Sequence, residues 1–187
     1  MTLEKVQIEY ACLEDLPRIV EIYNSTIESR MVTADLEPVT VEQRLPWFNE
    51  HTPDRRPLWV MKRDGQVVAW ASLSSFYGRP AYNGTVEVSV YVDQQCRGIG
   101  AGGLMLNTVF EACPELGITT ILGFVFGHNE PSLGLLRKHG FEQWGFYPEV
   151  AVLDGVDRDL VILGKKLEQS PPERGADLNK EKPPYPL

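Results

Sequence analysis

The chain has 187 residues, 43% of them hydrophobic, enough to bury one sizeable core, and it is read as a single domain. Its net charge of -8 excludes the broad phosphate neutralisation that non-specific nucleic-acid binding depends on, so any anionic cofactor must be held by a local site. No stretch approaches the ~18 apolar residues of a membrane span, and the opening MTLEKVQIEY has no apolar core of a signal peptide, so neither membrane nor export is expected.

Cys12, Cys96 and Cys113 are scattered without C-x-x-C spacing, which predicts a reduced, cytoplasmic protein. His51, His128 and His139 lack ligand spacing, and no metal is expected.

In chain order, Val6–Tyr10 reads as a short strand. Leu13–Ser29 reads as an amphipathic helix with Leu16, Ile19, Val20, Tyr23 and Ile27 on one stripe and Pro17 tolerated in the first turn. A polar loop, Ser29–Pro38, precedes a second helix over Val41–Asn49, with Thr40 as its N-cap and Pro46 at odds with its middle. Trp59–Lys62 and Gln66–Leu73 form a hairpin around Asp64-Gly65, a strong turn signal. After an irregular connector, Phe76–Ala81, comes the stretch that organises the chain.

That stretch, VEVSVYVDQQCRGIGAGGLM, begins as a β-branched alternation. Val86, Val88, Val90 and Val92 lie on one side, with Thr85, Glu87, Ser89 and Tyr91 on the other. It then becomes glycine-rich at Gly98, Gly100, Gly102 and Gly103 and turns helical from Leu104. A strand feeding a glycine loop that opens a helix suits a pyrophosphate, because the backbone comes close and its N–H groups converge on the anion.

Three readings compete for this loop. A P-loop fails for want of a Gly-Lys-Ser/Thr sequence. Gly98, Gly100 and Gly103 spell G-x-G-x-x-G, but the acidic ribose partner expected ~20 residues on falls in ILGFVFG, which has none. The third is R-x-x-G-x-G, spelled by Arg97, Gly100 and Gly102.

Downstream, the loop helix ends near Pro114, and Thr119–Phe126 is an apolar strand. A short helix, Glu130–His139, is preceded by Asn129 and ends at Gly140, and strands follow from Phe141 and over Arg158–Leu167. Residues 1–168 are taken as the folded unit. Residues 169–187 hold five prolines and few apolar side chains, which predicts a disordered tail. The fold class is α/β, a mixed sheet with the glycine loop at its centre.

Three spaced motifs carry a family resemblance. Arg97, Gly100 and Gly102 resemble the acetyl-CoA loop of the GNAT superfamily of N-acetyltransferases. NEPSLGLLRKHGF, with Asn129, Ser132, Leu135, Gly140 and Phe141, resembles its second motif, N-x-x-S-x-x-L-x-x-x-x-G-F. RPAYNGTVEVSVYV and IYNSTIE resemble the branch that acetylates phosphinothricin, methionine sulfoximine and methionine sulfone. Together they run in order from roughly Ile8 to Leu167. The resemblance implies a mostly antiparallel sheet flanked by helices and splayed between its fourth and fifth strands. It also implies acetyl-CoA as cosubstrate and a small amine as acceptor, and it is compatible with a homodimer.

By that resemblance Val90, Tyr91 and Val92 bind the pantetheine arm like an added strand. Arg97, Gly98, Ile99, Gly100, Ala101, Gly102 and Gly103 hold the pyrophosphate, and Asn129 and Ser132 complete the cofactor site. Glu87 is the expected general base. An ordinary Glu, with a pKa of ~4.3, needs burial or a water relay to accept a proton from an alkylammonium. Arg79 and Tyr82, with Met31 and Val32, are the candidate acceptor contacts, arginine being suited to a carboxylate or phosphinate. Each has a plainer reading: Glu87 as an exposed strand carboxylate, Asn129 as a cap, Arg97 as a solvated charge, and Arg79 and Tyr82 as surface loop. Trp47, Trp59, Trp70 and Trp144 are expected in the core. Two departures from the family stand out. Leu136 occupies the usual Tyr or His position for protonating the thiolate, leaving Tyr147, a water or unassisted departure, and Ile99 replaces a common basic residue. Acetylation of another amine, such as a protein N-terminus or a polyamine, and a non-catalytic CoA-binding module are the alternatives.

Overall fold

The computed structural model describes residues 6–168, so the proline-rich tail expected from residue 169 lies outside the described residues. Seven strands form one sheet in the order β1-β2-β3-β4-β5-β7-β6: β1 Val6–Tyr10, β2 Leu58–Arg63, β3 Gln66–Ser75, β4 Thr85–Val92, β5 Thr120–Phe126, β6 Glu142–Leu153 and β7 Val156–Lys166. All neighbours are antiparallel except β4 and β5. Four α-helices, α1 Leu16–Asn24, α2 Val41–Asn49, α3 Ala101–Ala112 and α4 Glu130–Lys138, are found among the described residues.

Strand alternation sorts the core onto two faces. On one, Trp59, Met61, Ala71, Leu73, Val86 and Val88 pack with Met105, Leu106 and Val109 of α3 and with Leu133 and Leu136 of α4. On the other, Leu58, Val60, Val67 and Trp70 pack with Ile19, Ile22 and Tyr23 of α1. The alternation of β4 therefore divides as the sequence predicts, with the valines toward α3 and Tyr91 toward α1.

Several boundaries differ from the sequence expectation. The first helix is shorter: a 3-10 turn, Leu13–Asp15, leads into α1, which ends at Asn24. The hydroxyls of Ser25 and Thr26 donate to the carbonyls of Ile22 and Tyr23, offering the last carbonyls partners other than a continuing helix. Helix α2 runs through Pro46, and Thr40 and Gln43 make a reciprocal capping box at its start. Helix α3 begins at Ala101, three positions earlier than read, so Gly102 and Gly103 belong to its first turn and not to the loop. The Asp64-Gly65 hairpin is as expected, both residues having positive φ (51° and 80°). A second Asp-Gly pair, Asp154-Gly155, turns β6 into β7 in the same way (φ 50° and 78°). Trp59 and Trp70 are core, but Trp144 is 46% exposed on the edge strand, its ring lying over Gly164.

Glycine inside β5 has a steric purpose. A Cβ on Gly123 would stand 2.7 Å from Cδ1 of Leu136. Gly123→Ala should therefore destabilise the fold by about 1–3 kcal/mol through overpacking. Leu136→Ala opens the contact, so the double variant should lose less stability than the sum of the two single variants, as denaturant unfolding of all three will show.

Candidate active site

Strands β4 and β5 pair over only three rungs, Thr85↔Thr120, Val86↔Ile121 and Glu87↔Leu122. Beyond Glu87 they part. Strand β4 stays with β3 through Val92, and β5 stays with β7 through Phe126, so each remains anchored on its outer side. A cleft opens between them, lined by Val32, Val88, Ser89, Val90, Tyr91, Gly123, Phe124, Val125, Asn129, Ser132, Leu135 and Leu136. On this side the backbone of Val88–Val92 has no strand partner, which leaves peptide groups for an extended ligand to pair with.

At the C-terminal end of β4, Asp93 fixes the turn. It forms an ion pair with Arg18 and accepts a hydrogen bond from the Gln95 backbone N–H at 2.7 Å. The loop that follows is pinned at two residues: Cys96 is buried and Ile99 packs on the core, while Arg97, Gly98 and Gly100 face solvent. The Ile99 departure thus has a packing role. Gly98 (φ 74°) and Gly100 (φ 90°) both lie in the left-handed region, and Gly100 is the N-cap of α3. Open N–H groups at a helix N-terminus, beside an exposed arginine, fit a pyrophosphate. Gly102 serves differently: its missing Cβ would come 3.0 Å from Leu135 and 3.9 Å from Val92, so it lets α3 approach α4 at the edge of the cleft.

Asn129 is the N-cap of α4 and is 4% exposed; its Oδ1 accepts from the Ser132 N–H at 3.2 Å. Its Nδ2 donates to the Met31 carbonyl at 2.9 Å, so the capping role is real and a second role is joined to it. That contact brings the Met31–Val32 loop to the cleft, where Val32 forms part of the wall.

Glu87 occupies the last paired rung, opposite Ser74 of β3 and Leu122 of β5, at the point where the cleft begins. It is half-buried, and among the described residues its carboxylate has neither a hydrogen bond nor an ion pair. Burial alone pushes its pKa above the ordinary Glu value, the direction a general base requires.

Other candidates are not brought into the cleft. Arg79 is exposed on the connector before β4, and Tyr82 packs on Phe76 and Tyr77 in a surface aromatic cluster. Leu136 does line the cleft, buried against Gly123, but has no acidic proton, and Tyr147 lies 49% exposed on β6, outside the cleft lining. Sequence reasoning passed over Ser89 and Phe124, which also line the cleft; Ser89 lies on the Glu87 side of an alternation already recognised. No cluster of His, Cys, Asp and Glu with metal-ligand geometry is present among the described residues.

Comparison with known proteins agrees with this geometry. The profile of the Acetyltransferase (GNAT) family matches residues 17–141. The chain is 54% identical over 154 residues to "Putative phosphinothricin acetyltransferase YwnH" of Bacillus subtilis, covering 82% of this chain and 94% of that one. It is 31% identical over 162 residues to the L-methionine sulfoximine/L-methionine sulfone acetyltransferase of Pseudomonas paraeruginosa, covering 86% and 94%. Among solved structures, a GNAT superfamily phosphinothricin acetyltransferase from Sinorhizobium meliloti in complex with AcCoA superposes with a TM-score of 0.83 at 25% identity, covering 92% of this chain and 94% of that one. With a matching profile, relatives of nearly its own length and a sheet splayed at the expected strands, the chain belongs to the GNAT family of acetyltransferases, enzymes that use acetyl-CoA as acetyl donor.

Proposed function

We propose that the protein transfers the acetyl group of acetyl-CoA to the α-amino group of a small amino-acid analogue of the phosphinothricin, methionine sulfoximine or methionine sulfone type. The observation that carries this is Glu87, an unpaired, half-buried carboxylate at the point where β4 leaves β5. The relatives named for those substrates supply the acceptor class.

In this reading the pantetheine arm pairs with the free side of Val90, Tyr91 and Val92, as a strand would. The phosphates meet the N–H groups from Arg97 to Gly103, and Asn129 and Ser132 close the opposite wall. The amine reaches the thioester from the Glu87 side of β4. Glu87, directly or through one water, takes the ammonium proton, and the nitrogen lone pair attacks the thioester carbonyl. A β4 backbone N–H stabilises the developing oxyanion. The C–S bond then breaks, and the thiolate departs without a protein acid, since Leu136 has none to give; a free thiol pKa near ~8.5 makes that departure feasible, and the second proton shed by the new amide nitrogen passes through water to the thiolate, giving CoA. The products are the N-acetyl amino acid, CoA and the proton held by Glu87.

Arg79 is the cation assigned to the acceptor carboxylate. What supports it is its availability: it is exposed and has no ion pair among the described residues. Tyr82, Met31 and Val32 provide the remaining contacts. We place the protein in the cytoplasm, consistent with its free thiols at Cys12, Cys96 and Cys113. We also read it as a homodimer, for which the exposed apolar Trp144, Phe146, Val150 and Val152 of edge strand β6 offer a surface.

Three outcomes follow. Gly100→Val should abolish measurable acetyl-CoA binding in calorimetry, because a branched side chain cannot adopt φ 90° without strain; wild-type affinity would refute the loop assignment.

Glu87→Gln should lower kcat about 10²-fold with the KM for acetyl-CoA unchanged, and should remove the acidic limb of the pH–rate profile. The same substitution should stabilise the fold at pH 8. A carboxyl whose folded pKa is raised contributes stability that is complete below its unfolded pKa of ~4.3 and is lost as pH rises through the folded value. The Tm advantage of the variant must therefore shrink on acidification to pH 4.

Finally, methionine sulfoximine should be acetylated faster than spermidine, which has no carboxylate to meet Arg79, and Arg79→Ala should raise the KM for the amino-acid analogue alone. Preference for spermidine in a thiol-release assay would overturn the acceptor class and leave acetyl-CoA binding intact.

A further inference from the structure

Two consecutive side chains at the end of β5 hold two consecutive carbonyls of the loop after α1. His128 Nε2 donates to the Arg30 carbonyl at 2.8 Å, and Asn129 Nδ2 donates to the Met31 carbonyl at 2.9 Å. Arg30 is an unusual place to find such contacts, because it is a non-glycine residue with φ 53°. A left-handed Arg costs conformational energy and persists only where its surroundings fix it. Here they do so from three directions. Its guanidinium donates to the carbonyls of Ile27 (3.1 Å) and Leu36 (2.9 Å), closing the loop on itself. It also pairs with Asp154, in the β6–β7 turn, at 2.7 Å. Its carbonyl is taken by His128. Two residues further on, Val32 forms the cleft wall.

We infer that His128 is a positioning residue for acetyl transfer, holding the Arg30–Val32 segment against the cleft so that the acceptor amine meets a fixed wall. The inference rests on the reading above that Met31 and Val32 contact the acceptor. The Asp154 contact is exposed and adds little by itself, and Asn129 already caps α4 and faces the cofactor side, so His128 is the tie that can be cut selectively. Its ring stacks on Phe126 (centroids 5.6 Å apart), so a phenylalanine at position 128 keeps that packing and loses only the N–H donor. A glutamine loses the ring and keeps a donor at similar reach.

The test compares His128→Phe and His128→Gln by steady-state kinetics with methionine sulfone as acceptor and by amide hydrogen exchange of the Ser29–Leu36 segment. The phenylalanine variant should accelerate exchange in that segment. It should raise the KM for the amine several-fold, the effect of one lost hydrogen bond, with the KM for acetyl-CoA unchanged. The glutamine variant should return both toward wild type. Wild-type exchange in the phenylalanine variant, or a glutamine variant that behaves worse, would overturn the inference, since either result makes the ring a packing element only. Accelerated exchange with an unchanged amine KM would overturn the link to the acceptor. Should the wild-type protein acetylate no amino-acid analogue, the acceptor reading itself fails, and the exchange measurement still decides whether His128 holds the segment.

Discussion

Everything at this site depends on where two parallel strands stop pairing. Strands β4 and β5 share three rungs and no more, because each is bound along its full length to a different outer neighbour and α4 enters the space between them. Leu135 and Leu136 fill the inner part of that space, and Gly123 is the concession in β5 that lets Leu136 in. The result is a row of main-chain donors and acceptors on Val88–Val92 in a partly buried cleft, where unsatisfied peptide groups are costly. An extended ligand that pairs with them removes that cost. Acetyl-CoA has the right form, a peptide-like arm ending in a diphosphate, and in the proposed reading the diphosphate meets the N–H groups of the turn after β4.

The opposite face of the sheet is held together by aromatic packing. Trp70 and Tyr91 stack with centroids 4.3 Å apart, and Tyr23 of α1 leans on Tyr91 at 5.3 Å. The guanidinium of Arg44 lies 4.1 Å over the Tyr23 ring, tying α2 to α1. The Tyr23 hydroxyl donates to Asp35 and is hydrogen-bonded to Thr33, so the loop that carries Val32 is anchored to α1 as well as to the end of β5. Burial drives the Tyr91 hydroxyl well above its ordinary pKa, so it stays neutral within the aromatic stack.

Much of this was legible in the sequence, for identifiable reasons. The β4 alternation, the Asp64-Gly65 hairpin and the Asn129 cap are local signals, and local physics decides them. The glycine spacing marks the turn between β4 and α3, and the structure adds a packing reason for Gly102, whose neighbour is Leu135 on another helix, a contact separated by many residues. The early start of α3 was hidden because glycines at 102 and 103 discourage a helix by propensity, while Gly100 in the left-handed region caps one. The ties from His128 and Asn129 to Arg30 and Met31 span 98 residues and leave no periodic trace. Trp144 reads as core by residue type, but on an edge strand its ring lies over Gly164 and stays 46% exposed.

The central claim is that acetyl-CoA lies between β4 and β5 with its thioester beside the last paired rung. A crystal structure with bound acetyl-CoA tests it most directly. The account predicts main-chain hydrogen bonds from Val90–Val92 to the pantetheine arm, diphosphate oxygens within hydrogen-bond distance of the N–H groups between Arg97 and Gly103, and the thioester carbon facing Glu87 directly or across one water. A cofactor lying along any other strand edge, or a thioester remote from Glu87, would contradict it.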